Sequence, residues 1–194
     1  MAALGGGRRE TSGIDRILVP GILSGMAAAV AMGLFAMIAA ATYQHRGFFT
    51  PMYQITALLG DGTFGRSVQE AARGKPFLLV PEPMLFGVMM HLLIGGFFGA
   101  MFALIARAVP PRLSLVVVGP VFALLVMVVM SFALVPLADA AMSGDRRISS
   151  YAGLSGWWTF TSAHVIYGLV LGLWSVWRPQ DFSRAEKRAE TQEP

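Results

Sequence analysis

The chain contains three histidines, and two of them stand in matching surroundings. His91 opens the stretch HLLIGGFFGAMFALIAR and His164 opens HVIYGLVLGLWSVWR. Both read H-x-x-x-G-x-x-x-G, with Gly95 and Gly99 in the first and Gly168 and Gly172 in the second, and both end in arginine. Residues four apart share a helix face, so each histidine falls in line with its own glycines. Two imidazoles so placed suit three kinds of chemistry. They can ligate one cofactor from two sides. A b-type haem with His91 and His164 as axial ligands would lie against small residues, Gly95, Gly96 and Gly99 on one side and Gly168 and Gly172 on the other. They can hydrogen-bond across a helix interface as structural links. They can carry protons, because imidazole titrates near neutral pH. As a copper or zinc site the pair is incomplete. The further donors the sequence offers are His45, Asp61, Glu82 and the thioethers of Met89 and Met90.

The elements that must position these histidines are membrane helices. Of 194 residues, 55% are hydrophobic and 13% charged, about half the charge of an ordinary soluble domain. Four apolar runs, about 17–42, 84–106, 113–137 and 157–177, are each long enough to cross a hydrocarbon layer roughly 30 Å thick. The expected fold is all-α: an integral membrane four-helix bundle. Residues 1–16 and 179–194 form polar tails, and 43–83 form a long outer loop. The first run is too long for a signal-peptide core, which is about 7–15 residues, so it reads as an uncleaved helix. No carboxylate, lysine or arginine falls inside the four runs as bounded here, so no proton relay or ion path is visible in them. A histidine inside such a run is a functional candidate by default.

Charge orients the bundle. Nine of the fifteen lysines and arginines fall on the N-terminal tail, the link after the second run and the C-terminal tail. Cytoplasmic segments are enriched in such residues, so both termini are expected in the cytoplasm. Basic residues at helix ends also argue against a nucleic-acid footprint. The chain has no cysteine, which excludes disulfides, thiolate metal sites and iron–sulfur clusters. No nucleophile–base pair, carboxylate pair or zinc-protease signature is present.

Within the outer loop, Phe48 to Leu59 is apolar enough to lie on the membrane surface as a short helix. GDGTFG from Gly60 has the glycines of a phosphate loop without the following Lys-Ser or a helix start. Gln69 to Lys75 reads as polar and exposed, and Pro81-Glu82-Pro83 as an extended lead-in. The second outer loop is expected over 138–156, with Trp157 and Trp158 as an interfacial anchor. Helices 2 and 4 align through their histidine–glycine pattern, and helices 1 and 3 through Gly21 with Gly119 and Met32 with Met130. This suggests two pseudo-repeated helical hairpins about an axis along the membrane normal.

Met32, GFFTPMYQI after the first run, HLLIGGFFGAMFALI and HVIYGLVLGLW together resemble a loose group of bacterial four-helix inner-membrane proteins, the YagU-like proteins among them. The resemblance implies a four-helix bundle in a bacterial inner membrane and carries no reaction or functional residue with it. The pattern differs from diheme cytochromes b, which carry more histidines per helix. The function expected on these grounds is a non-enzymatic accessory or assembly subunit in the lipid bilayer, contacting other membrane subunits or a second copy. A haem-binding electron-transfer or haem-handling protein is the alternative, and a small-solute or proton transporter the third reading.

Overall fold

The computed structural model describes residues 14–109, 114–142 and 151–177. Arg8, Arg9, the basic residues of the C-terminal tail, the Pro110-Pro111 link with Arg112, and Asp145 to Arg147 lie outside the described residues, while Arg16 falls in the first turn of the first helix. Helix α1 spans Asp15–Ala41, α2 Thr50–Ala57, α3 Thr63–Ala72 and α4 Pro81–Ala108. Helix α5, Leu115–Val129, runs through a π-helical turn, Met130–Leu134, into α6, Val135–Met142. A short α7, Tyr151–Ser155, precedes α8, Trp157–Trp177. Four stretches are long and apolar enough to cross a membrane: Ile17–Ala41, Pro81–Ala108, Leu115–Ala141 and Trp157–Val176. The chain is a multi-pass all-α membrane protein. Its lipid-facing surface is carried by residues such as Leu85 on α4, Leu125 on α5 and Trp158 on α8, all more than half exposed.

Glycine decides which helices touch closely. In lipid there is no hydrophobic drive between helices, so close backbone approach must supply the attraction. Gly21 and Gly25 of α1 lie against Gly99 and Gly95 of α4, the numbers running in opposite directions as an antiparallel pair requires. A Cβ on Gly25 would stand 2.7 Å from Gly99 Cα, a distance real side chains do not tolerate. Gly119 of α5 meets Gly168 and Gly172 of α8 in the same manner.

The expected symmetry is not reproduced in detail. Gly25 takes the place on α4 that Gly119 takes on α8, so the aligned pair Gly21 and Gly119 is one helical turn out of packing register. Helix α1 also packs broadly on α8, whereas α4 and α5, the corresponding pair, barely touch. Between them the Phe102 and Phe122 rings meet with centroids 5.3 Å apart. The bundle order is therefore α4–α1–α8–α5.

Several loop expectations are corrected. Phe48 to Leu59 does contain a short helix, but one packed into the protein. Its helix α2 is tucked against α4, with Met52, Tyr53 and Gln54 buried. The reason is Gly87, whose bare Cα admits the Met52 carbonyl. Tyr53 then ties the loop down, accepting from Val80 N (2.9 Å) and donating to Leu78 O (3.1 Å). Pro81-Glu82-Pro83 is the first turn of α4, where proline's missing N–H is no loss; the extended residue is Val80. A helix does start after GDG, at Thr63, but Asp61 Oδ1 already accepts the Thr63 N–H (2.7 Å), so a carboxylate occupies the place of a phosphate. The third span continues beyond 137 and carries Asp139, 2% exposed, into the helix.

Candidate functional site

Both histidines reach one cavity of about 150 Å³ in the half of the bundle that holds α2 and the start of α8. Helices α1, α4 and α8, the end of α5 and its π turn form the walls, and α2 covers one side. By rise alone His91, ten residues into α4, lies about 15 Å along its helix, and His164, seven residues into α8, about 10 Å. Tyr167 brings the two levels into register. One turn after His164, it donates its hydroxyl to Gly95 O (2.6 Å), one turn after His91.

Each ring is held by one nitrogen. His91 donates from Nε2 to Ala29 O of α1 (2.9 Å). The carbonyl already accepts from within its own helix and uses its second lone pair. Gly33, one turn on, makes the room: a Cβ there would stand 3.2 Å from His91 Nε2. His164 donates from Nδ1 to Phe160 O, one turn earlier in α8 (2.8 Å), and its ring lies edge-on to the Phe160 ring. A carbonyl only accepts, so the bonded nitrogen carries the proton. In the neutral ring the other nitrogen, Nδ1 of His91 and Nε2 of His164, is then a lone pair. Among the described residues no protein donor is bonded to either.

Gly95 lines the cavity beside His91 as the sequence reading expected, and Gly99, Gly168 and Gly172 do not. Gly95 and Gly99 are filled by α1, and Gly168 and Gly172 by α5, backbone against backbone. They leave no flat groove beside either histidine. A cavity of this volume holds a group the size of benzene, and a macrocycle is several times larger. The residues present do not fit a haem without separating the helices. The other candidate donors are also elsewhere. His45 is exposed in a left-handed turn (φ 52), Glu82 is exposed, Met89 is 46% exposed, and neither Asp61 nor Met90 reaches the cavity. The thioethers that do line it are Met32 of α1, Met52 of α2 and Met130 at the π turn. Sequence reasoning passed over them because they come from three other elements. The signal was present only in part, as Met32 one residue before Gly33 and Met52 inside GFFTPMYQI. No carboxylate lines the cavity.

The mouth is polar and cross-braced. Gln44, just after α1, donates to Ser155 O and Thr159 Oγ1, both at 2.7 Å. Tyr43 Oη and Thr159 Oγ1 share a hydrogen bond of 2.5 Å. Arg46 donates to Leu154 O, and Ser155 Oγ to Gln54 Oε1 (3.1 Å). These bonds join the ends of α1, α2, α7 and α8. Gln54 Nε2 is buried without a partner among the described residues. The arrangement is a small apolar chamber with two basic nitrogens inside and a hydrogen-bonded rim. In comparison with known proteins, no family model matches the chain, and neither does any curated protein or solved structure.

Proposed function

We propose that this chain is a protein of a bacterial inner membrane, with both termini in the cytoplasm, that acts as a non-enzymatic accessory component by holding a small ligand in its outward-opening cavity. The observation that carries the reading is the pair of lone-pair nitrogens in a chamber closed by a polar rim. An imidazole lone pair that faces an apolar chamber is an unused acceptor, and two in one chamber favour a ligand that can bond to both. The distribution of basic residues supports the orientation: it puts the rim residues Gln44 and Thr159 on the side away from the cytoplasm. The lipid-facing helices and the loop containing α2 and α3 offer surfaces for partner subunits.

Because the chain has no cysteine, one introduced at a time reports access directly. Ala163, 2% exposed, lies in the cavity wall, and Leu125, 61% exposed, faces lipid. In right-side-out spheroplasts, a membrane-impermeant methanethiosulfonate is expected to label Ala163→Cys and to leave Leu125→Cys unreacted. Labelling of Ala163→Cys only from the cytoplasmic face, or no faster than Leu125→Cys, would refute an outward opening. The haem alternative is opposed by the size of the cavity, about 150 Å³. It is decided by a dithionite-reduced minus oxidised absorption spectrum of folded protein from haem-supplemented cells, where a flat trace ends it.

A further inference from the structure

The geometry points to a Cu(I) site in this cavity, with His91 and His164 as nitrogen ligands and sulfur supplied by Met32, Met52 or Met130. The inference rests on the cavity being the binding site and names what it takes.

The argument begins with the tautomers. Metal-bound histidines commonly donate their second ring N–H to a backbone carbonyl, which fixes the ring and directs the remaining lone pair at the metal. His91 on Ala29 O and His164 on Phe160 O both have that arrangement. A lone-pair nitrogen is an acceptor, so a ligand whose own polar atoms only accept, such as a quinone carbonyl, finds no donor in these rings. A Lewis acid does. The third component selects among metals. Thioethers are soft and favour Cu(I), whereas zinc and harder ions take thiolate, imidazole or carboxylate oxygen. The imidazole and thioether donors are neutral, no carboxylate lines the wall, and the charged side chain there is Arg46, which is turned to Leu154 O. An uncompensated ion in such surroundings is costly, and a monovalent ion is the least so. Cu(I) also accepts two or three ligands, within reach of two histidines and one methionine.

The full chain, purified anaerobically in mild detergent, is titrated against the coloured Cu(I)–bicinchoninate complex. One Cu(I) per chain is expected to transfer to the protein. The bound copper should show mixed nitrogen and sulfur scattering at its X-ray absorption edge. Zn(II) is expected to bind at least about tenfold more weakly. His91→Ala and His164→Ala should each weaken Cu(I) binding by at least tenfold. Because truncating a buried histidine can also loosen the fold, the near-isosteric Met32→Leu, Met52→Leu and Met130→Leu are measured beside them. The ligand methionine is the one whose leucine variant unfolds like the parent but loses sulfur scattering. No transfer from bicinchoninate would overturn the proposal, as would copper retained at full affinity in the double histidine variant or an edge spectrum free of sulfur. If Ala163→Cys is labelled from outside while copper is not bound, the outward cavity stands and the copper assignment falls. If neither occurs, both fall.

Discussion

Replacing Gly25 by alanine adds one methyl group, and the structure says where it goes. The new Cβ would stand 2.7 Å from Gly99 Cα and 3.0 Å from Gly95 C, with the Gly95 carbonyl oxygen closer still. The first distance falls about 0.7 Å short of the 3.4 Å at which ordinary contact begins. The atoms met are backbone, so no side chain can swing aside and α1 must move off α4. Overpacking of this kind costs about 1–3 kcal/mol. The same movement has a second effect. His91 reaches from α4 to Ala29 O on α1, one turn beyond Gly25, at 2.9 Å. A shift of about 0.7 Å carries that bond to the edge of hydrogen-bond range and forfeits about 0.6 kcal/mol or more. The methyl also gains the roughly 0.5–1 kcal/mol that alanine brings to a helix interior, so the expected net loss is roughly 1–3 kcal/mol. The control is Gly65→Ala in α3, where nothing lies within 4 Å; alanine in a helix interior there should gain about 0.5–1 kcal/mol. Reversible unfolding in mixed detergent and SDS micelles, followed by circular dichroism, measures both. Equal midpoints for Gly25→Ala and Gly65→Ala would refute the claim that backbone contact holds this pair of helices.

Two further substitutions probe single polar groups by the same measurement. Tyr167→Phe removes the hydroxyl bonded to Gly95 O and is expected to cost about 0.6–1.7 kcal/mol, the range for hydrogen bonds between membrane helices; an unchanged midpoint would mean the bond does not join α8 to α4. Ser131→Ala in the π turn removes a buried hydroxyl that has no partner among the described residues, so it should be neutral or stabilising by up to about 1 kcal/mol, and a clear loss of stability would show that the hydroxyl is in use.

The spans were legible because their cause is local: about twenty consecutive apolar residues admit no other reading. The inward direction of His91 and His164 was legible for the same reason, since glycine spacing marks the packed face. What escaped was whatever depends on two segments meeting. The glycines beside the histidines suggested an open groove, yet Gly95 is filled by α1 and Gly168 by α5, and no pattern in one helix shows its neighbour. The position of α2 was misread because apolar composition suits a membrane surface and a protein wall equally. What set it in the wall was Gly87, some thirty residues on. Ala29 contributes through its carbonyl alone, which side-chain chemistry never announces. The three thioethers come from three elements, and only the fold brings them to one chamber.

The order α4–α1–α8–α5 has a consequence for synthesis. A nascent chain delivers α1 and α4 early, and they can pair in the bilayer through their glycines as soon as both have left the translocon. The chamber needs more: one wall belongs to α1 and the facing wall to α8, the last of the four spans to emerge. Until then His91 has its carbonyl on α1 but no partner ring, and the rim has nothing to bond across. The cavity is thus completed in one late event, the docking of α8 onto a helix made more than a hundred residues before it. A ligand that grips both histidines would favour that docking, coupling its own supply to the completion of the bundle.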